Sequence, residues 1–261
     1  MIRHKIRGKR HHTTGVRRAR PAVVAGLRFG SLALAATTVT ATTATLTATL
    51  TATAAGASKA SEKAEAKTHL LVLKDMPKGW TTESGSSGSN GPNNFPGVKQ
   101  LAACIGVPSS LLSGNPPEAD GPYYQSKDQA LEVQDSVSVF PSVKNARQQL
   151  AAISNTKTPG CTATIMNSAA LKSQITASAG KGASVGTITV TAINPALYGK
   201  NTAGFTMLLP IKAQGISVIG HLTELYFING RLGQNISFDS YGVTFPASLA
   251  QHLTAVAIGR L

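Results

Sequence analysis

The chain has 261 residues, 42% hydrophobic and 5% aromatic, with 25 basic and 11 acidic side chains and a formal net charge of +14. Nine of the basic residues lie in residues 1–28, which hold no acid, so the rest of the chain carries 16 basic against 11 acidic residues. That remainder has no dense Lys/Arg stripe with interleaved aromatics, which argues against a nucleic-acid partner, and its residual charge suits no more than weak attraction to an anionic cell surface.

Residues 29–58 follow the basic segment with thirty positions free of charge, the order of a secretory leader. Ala55-Gly56-Ala57 offers a small-residue cleavage site before Ser58, with Ala52-Thr53-Ala54 as a second. Ten of the thirty residues are Thr, so the competing reading, a retained membrane-spanning helix, is poorly apolar. In both readings the C-terminal part lies outside the cytoplasm, and the membrane is a partner only through a retained leader. Arg17-Arg18 resembles a twin-arginine export pair, although Ala19-Arg20 replaces the usual apolar continuation. The expected boundaries are a leader over 1–57, a flexible tether or frayed helix start over 58–68, and one domain over 69–261, ample for a single core.

"KDMPKGWTTES", residues 74–84, contains the only tryptophan. Pro77 and Gly79 predict a turn and Trp80 the start of a first strand. Trp80 either packs into the core or stacks a ligand. "SGSSGSNGPNN", 84–94, reads as an exposed loop.

In "LEVQDSVSVF", 131–140, Leu131, Val133, Val137 and Val139 alternate on one side of a strand, and Asp135 falls on that same side. "PSVKNARQQLAAIS", 141–154, predicts a helix capped by Ser142, with Val143, Ala146, Leu150 and Ile153 on one stripe. "TITVTAI", 187–193, and "GFTMLLPI", 204–211, alternate as strands. "LYFINGRLGQNISF", 225–238, predicts a hairpin closed at Asn229-Gly230, pairing Phe227 with Leu232, Leu225 with Gln234 and Thr223 with Ile236. Glu224 sits between Leu222 and Tyr226 on the opposite row. "PASLAQHLTAVAIGR", 246–260, predicts a last helix lined by Leu249, Leu253 and Val256 and stopped near Gly259. Strands that follow one another without intervening helices predict an α+β single domain, a twisted antiparallel sheet with flanking helices.

Cys104 and Cys161 are the only cysteines. In an exported chain two cysteines pair, closing a loop that stabilises the fold by about 4 kcal/mol; two free buried thiols are the alternative. Neither has a Cys or His at ligand spacing, so no metal is expected.

"LLVLKDMPKGWTTES", "LAACIGVP", "SVSVFPSVKNARQQLAAI", "PGCTATI" and "GRLGQNISFDS", in this order before a last helix, carry a resemblance. The chain resembles the exported actinobacterial sensor-like domains related to the extracellular part of receptor serine/threonine kinases, and their secreted and lipid-anchored relatives. The resemblance implies a Mog1/PsbP-like fold and a structural place for Trp80. The kinase type is a two-disulfide domain, whereas this chain has cysteines for one bridge. The lipid-anchored type carries an acylated Cys that this leader lacks, and no kinase domain accompanies it.

Enzyme motifs are largely missing: no H-E-x-x-H or C-x-x-C is present, and "AGKGAS", 179–184, lacks the spacing of a phosphate loop. His69, His221 and His252 fall on unrelated elements and read as structural. Asp135 and Glu224 each interrupt an apolar row, where a carboxylate needs a partner or a wet cavity. Each is a candidate ligand-facing acid, against the alternative of a β-bulge or a solvent-facing row. The expectation is a non-catalytic exported domain binding a small molecule, a cell-envelope component or a protein, without a cofactor. A secreted hydrolase with an unrecognised site and a structural envelope protein are the rivals.

Overall fold

The computed structural model describes residues 51–83, 97–114 and 116–261. The leader up to residue 50 and the expected loop at 84–94 lie outside them. Among the described residues no helix is long and apolar enough to cross a membrane.

The chain forms a mixed helix and antiparallel-sheet domain with one disulfide. Helix α1 (Thr51–Thr68) leads through a short 3-10 turn (Leu73–Asp75) into β1 (Thr81–Glu83). Next come α2 (Val98–Ile105), α3 (Ser109–Leu112), β2 (Glu118–Asp120), β3 (Tyr123–Gln125) and β4 (Leu131–Val139). Three helices follow, α4 (Val143–Ile153), α5 (Thr158–Met166) and α6 (Ala169–Ala179). Then come β5 (Ser184–Val185), β6 (Thr189–Ala192), β7 (Thr202–Ala213), β8 (Ile216–Asn229), β9 (Leu232–Tyr241) and α7 (Ala247–Ile258).

The sheet runs β1-β3-β4-β9-β8-β7-β5, with β2 also paired to β4 and β6 to β7, and every pairing is antiparallel. Two tight turns build its centre. Gln214 and Gly215 both have positive φ, 51° and 79°, which suits the two-residue connection from β7 to β8. At the next hairpin Gly230 alone has positive φ, 60°, and Asn229 pairs with Leu232. The loop is therefore Gly230-Arg231, one residue later than the Asn-Gly pattern suggests. Phe227 meets Gln234 and Leu225 meets Ile236, a register two residues from the expected one. A slip of two keeps every side chain on its expected face.

On one face, Val133, Leu225, Phe227, Ile236 and Phe238 pack with Tyr124, Leu71 and Met76 against Ala250, Leu253 and Ala257 of α7. Ala66, at the end of α1, joins Ala119, Val137, Val139 and Leu232 there. The segment expected as a flexible tether over 58–68 is thus the latter part of α1, held by Ala66 burial and by Arg231 reaching Glu62 and Glu65 at 3.0 and 3.5 Å. On the other face Ile175 of α6 packs with Ile188, Met207, Leu209, Ile211, Leu222 and Tyr241.

A third apolar group joins α2, α3, α4 and α5 through Val98, Ala102, Ile105, Leu112, Ala152 and Cys161. The Cys104–Cys161 disulfide ties α2 to α5. Ser142 caps α4 as expected, its hydroxyl accepting from Asn145 N at 3.2 Å. Val143 departs from its expected stripe. It is exposed at the first turn, and Ala146, Gln149 and Ala152 form the buried line instead.

Candidate functional site

Strand alternation makes the second face of the sheet polar beside the α6 cluster. Pairing register places Gln134, Ser237, Glu224 and Phe205 in one row across β4, β9, β8 and β7. The adjacent row is Asp120, Ser136, Asn235 and Tyr226, and the row on the other side holds Glu132, Asp239 and Leu222. Glu118 lies opposite Ser138 on the same face. Helix α4 leans over one end, and Gln149, Leu150 and Ile153 wall a recess with Ser136, Tyr226 and Asn235.

The acids of this face are held toward their protonated forms. Burial raises Glu224 to about 7, against hydrogen bonds from Asn235 and Ser237. Burial likewise raises Glu118 to about 7, opposed by a Ser136 hydrogen bond and Lys63, and assisted by Asp120. Asp239 is pushed well above the usual carboxylate range by burial and then by the charge of Glu224, although Ser237 Oγ donates to its Oδ1 at 2.8 Å. Asp120 is raised by burial, with Lys63 opposing. The Tyr226 hydroxyl is raised by burial and by the charges of Glu224 and Glu118. Glu118 Oε1, Glu224 Oε2 and Asn235 Oδ1 are each buried without a protein hydrogen-bond partner. Asn235 Oδ1 is an acceptor, and the two carboxyl oxygens become acceptors as their groups ionise. A site with spare acceptors and repelling carboxylates is chemically complementary to a donor, above all a cationic one.

Glu224 sits on this face without a bulge, since β8 keeps continuous register with both neighbours. Asp135 is on the opposite face. It is neither in a bulge nor facing solvent; it is 2% exposed and accepts from Leu71 N and Gln234 Nε2 at 2.9 and 2.8 Å. The two sequence candidates therefore do not converge. Trp80 is separate again, partly buried against the α7 core after a turn in which Gly79 has φ 92° and Trp80 N donates to Pro77 O at 3.2 Å.

Sequence reasoning missed Glu118, Tyr226, Asn235, Ser237 and Asp239. The alternation of Asn235, Ser237 and Asp239 against Gln234, Ile236 and Phe238 marks a polar row in β9, whereas nothing local distinguishes Glu118. Among the described residues, neither His69, His221 nor His252 joins the polar face. His69 Nδ1 meets the Arg260 carbonyl, His221 pairs on the Thr223 side, and His252 is exposed on α7. Among the described residues no group of His, Cys, Asp and Glu is arranged to hold a metal ion.

No protein-family model and no curated protein matches the sequence. Among solved structures, the extracellular domain of PknH from Mycobacterium tuberculosis is similar at a TM-score of 0.39 and 10% identity, over 76% of this chain and 95% of that one. A likeness that distant carries no functional weight. The structure defines a single α+β domain, disulfide-bonded between α2 and α5, with one sheet face apolar and the other part apolar under α6 and part acidic.

Proposed function

We propose that the chain is a non-catalytic extracytoplasmic binding domain that takes a small, donor-rich ligand, best a cationic amine, on the acidic face of its sheet. The observation that carries this reading is the set of buried acceptors without protein partners, Glu118 Oε1, Glu224 Oε2 and Asn235 Oδ1, arranged around Tyr226. The Cys104–Cys161 bridge favours an oxidising compartment, in keeping with the leader-like order of the first 57 residues. An amine approaching this face gains charge-assisted hydrogen bonds and relieves the repulsion between Glu224 and Asp239. A free small molecule and the lysine of a cell-envelope peptide present the same donor.

Against the hydrolase reading stands the lack of a histidine on this face among the described residues, since Glu224 has Ser237 and Asn235 as neighbours and no base between them. Native mass spectrometry of the domain recovered from culture medium tests the proposal. A retained amine-bearing adduct, displaced by lowering the pH, supports it. A domain that stays empty, and that turns over chromogenic ester or glycoside substrates, supports the hydrolase instead.

A further inference from the structure

Asp135 and Gln234 form an unusual buried pair on the other face, outside the proposed site. Gln234 is 1% exposed and Asp135 2%. Gln234 Nε2 donates to Asp135 Oδ2, which also accepts from Leu71 N. Asp135 Oδ1 and Gln234 Oε1 are both buried with no partner. Gly121 presses on this carboxyl so closely that a Cβ there would sit 2.3 Å from Oδ1. The charged groups around it are occupied. The Arg260 guanidinium is committed to Asp75 and to the Leu70 carbonyl, His69 meets the Arg260 carbonyl, and the Tyr124 hydroxyl donates to Leu71 O at 2.6 Å.

An ionised carboxylate here would have two N–H donors and no ion pair, at a cost of several kcal/mol. A carboxylic acid facing a primary amide makes two complementary hydrogen bonds. With a proton on Oδ1, that O–H donates to Gln234 Oε1 while Nε2 donates to Oδ2. One proton then satisfies both orphaned oxygens. We propose that Asp135 is an acid-tightened latch: in its neutral form it clamps Gln234 and the Leu71 backbone, and its ionisation favours release of segment 69–76 from the sheet.

Burial raises Asp135 to about 7; the Leu71 and Gln234 hydrogen bonds and Arg260 oppose the shift, and Asp75 adds to it. Once released, the carboxyl titrates near an ordinary value of about 4. The closed state therefore binds more protons between these values, and latch stability falls as pH rises from about 4 to about 7, then levels off.

Hydrogen exchange at the Leu71 amide, corrected for intrinsic rate, reads the latch directly. Its protection should fall about tenfold per pH unit between roughly pH 5 and 6.5 and flatten above 7. Asp135→Asn keeps an acceptor for Leu71 N and supplies a donor to Gln234 Oε1, so its profile should be flat. Identical profiles in both proteins would overturn the proposal. If the variant does not fold, a side-chain carboxyl ¹³C titration of the unmodified protein decides: a midpoint near 7 for Asp135 supports the latch, and one near 4 overturns it.

Discussion

Arg260 reaches back from beyond α7 to Asp75, its Nη2 2.7 Å from Asp75 Oδ1, in the turn before β1. The same guanidinium donates to the Leu70 carbonyl, so the end of the described chain straps down the segment that follows α1. Both side chains are largely shielded, at 22% and 9% exposure, which lifts the pair above an ordinary surface ion pair. Arg260→Ala should lower unfolding free energy by about 1.5–3 kcal/mol, the range for hydrogen bonds to charged groups. Urea denaturation of Arg260→Ala, Asp75→Ala and the double variant checks this. The two losses should be strongly non-additive.

The disulfide should account for a larger share of stability. Cys104 and Cys161 are 57 residues apart in sequence, and opening that loop should cost about 4 kcal/mol in the chain-entropy model. Replacing both cysteines by Ala, with denaturation measured beside the oxidised protein, gives the number. Peptide mapping without reductant should recover the Cys104 and Cys161 peptides as one linked species.

Trp80 lies at the margin of the α7 core rather than inside it. Trp80→Ala should therefore cost about 3 kcal/mol, the low end of large aromatic truncations. Its fluorescence should be intermediate in wavelength and only partly quenched by iodide. Adding an amine should leave both unchanged, because the ring packs on the face away from Glu224 and Glu118.

Acid titration should act oppositely on ligand binding and on stability at the acidic face. Glu118 and Glu224 are raised to about 7, so their charges appear as pH rises toward and through neutrality. Affinity for an amine should strengthen from pH 6 to pH 8, as isothermal titration calorimetry would show. Each raised acid holds its proton in the native state longer than in the unfolded chain, so the ligand-free domain should lose stability from about pH 4 to pH 7. Thermal unfolding across that window checks the sign.

Period-two alternation made the faces of the sheet legible from sequence. It put Asp135 with Val133 and Val137, and Glu224 with Leu222 and Tyr226, as the strands do. Turn chemistry was less legible, because Asn229-Gly230 suggests a loop with two positive φ values whereas Gly230-Arg231 needs only one. The equally tight Gln214-Gly215 turn has a residue that seldom announces positive φ. The site was least legible of all. Glu118 and Asp239 are 121 residues apart and share a face only because β2 and β9 both pair with β4. Asp135 broke its apolar row because it holds a backbone amide and an amide side chain, a tertiary reason that no local pattern carries.

Amide NMR during titration with spermidine at pH 8 reads directly whether the acidic face receives a donor-rich ligand. In the unmodified domain, shifts should concentrate at Ser136, Tyr226, Asn235 and Ser237, and they should vanish in a Glu118→Gln, Glu224→Gln double variant that still folds. Shifts spread over the exposed surface, or unchanged in the double variant, would contradict binding there.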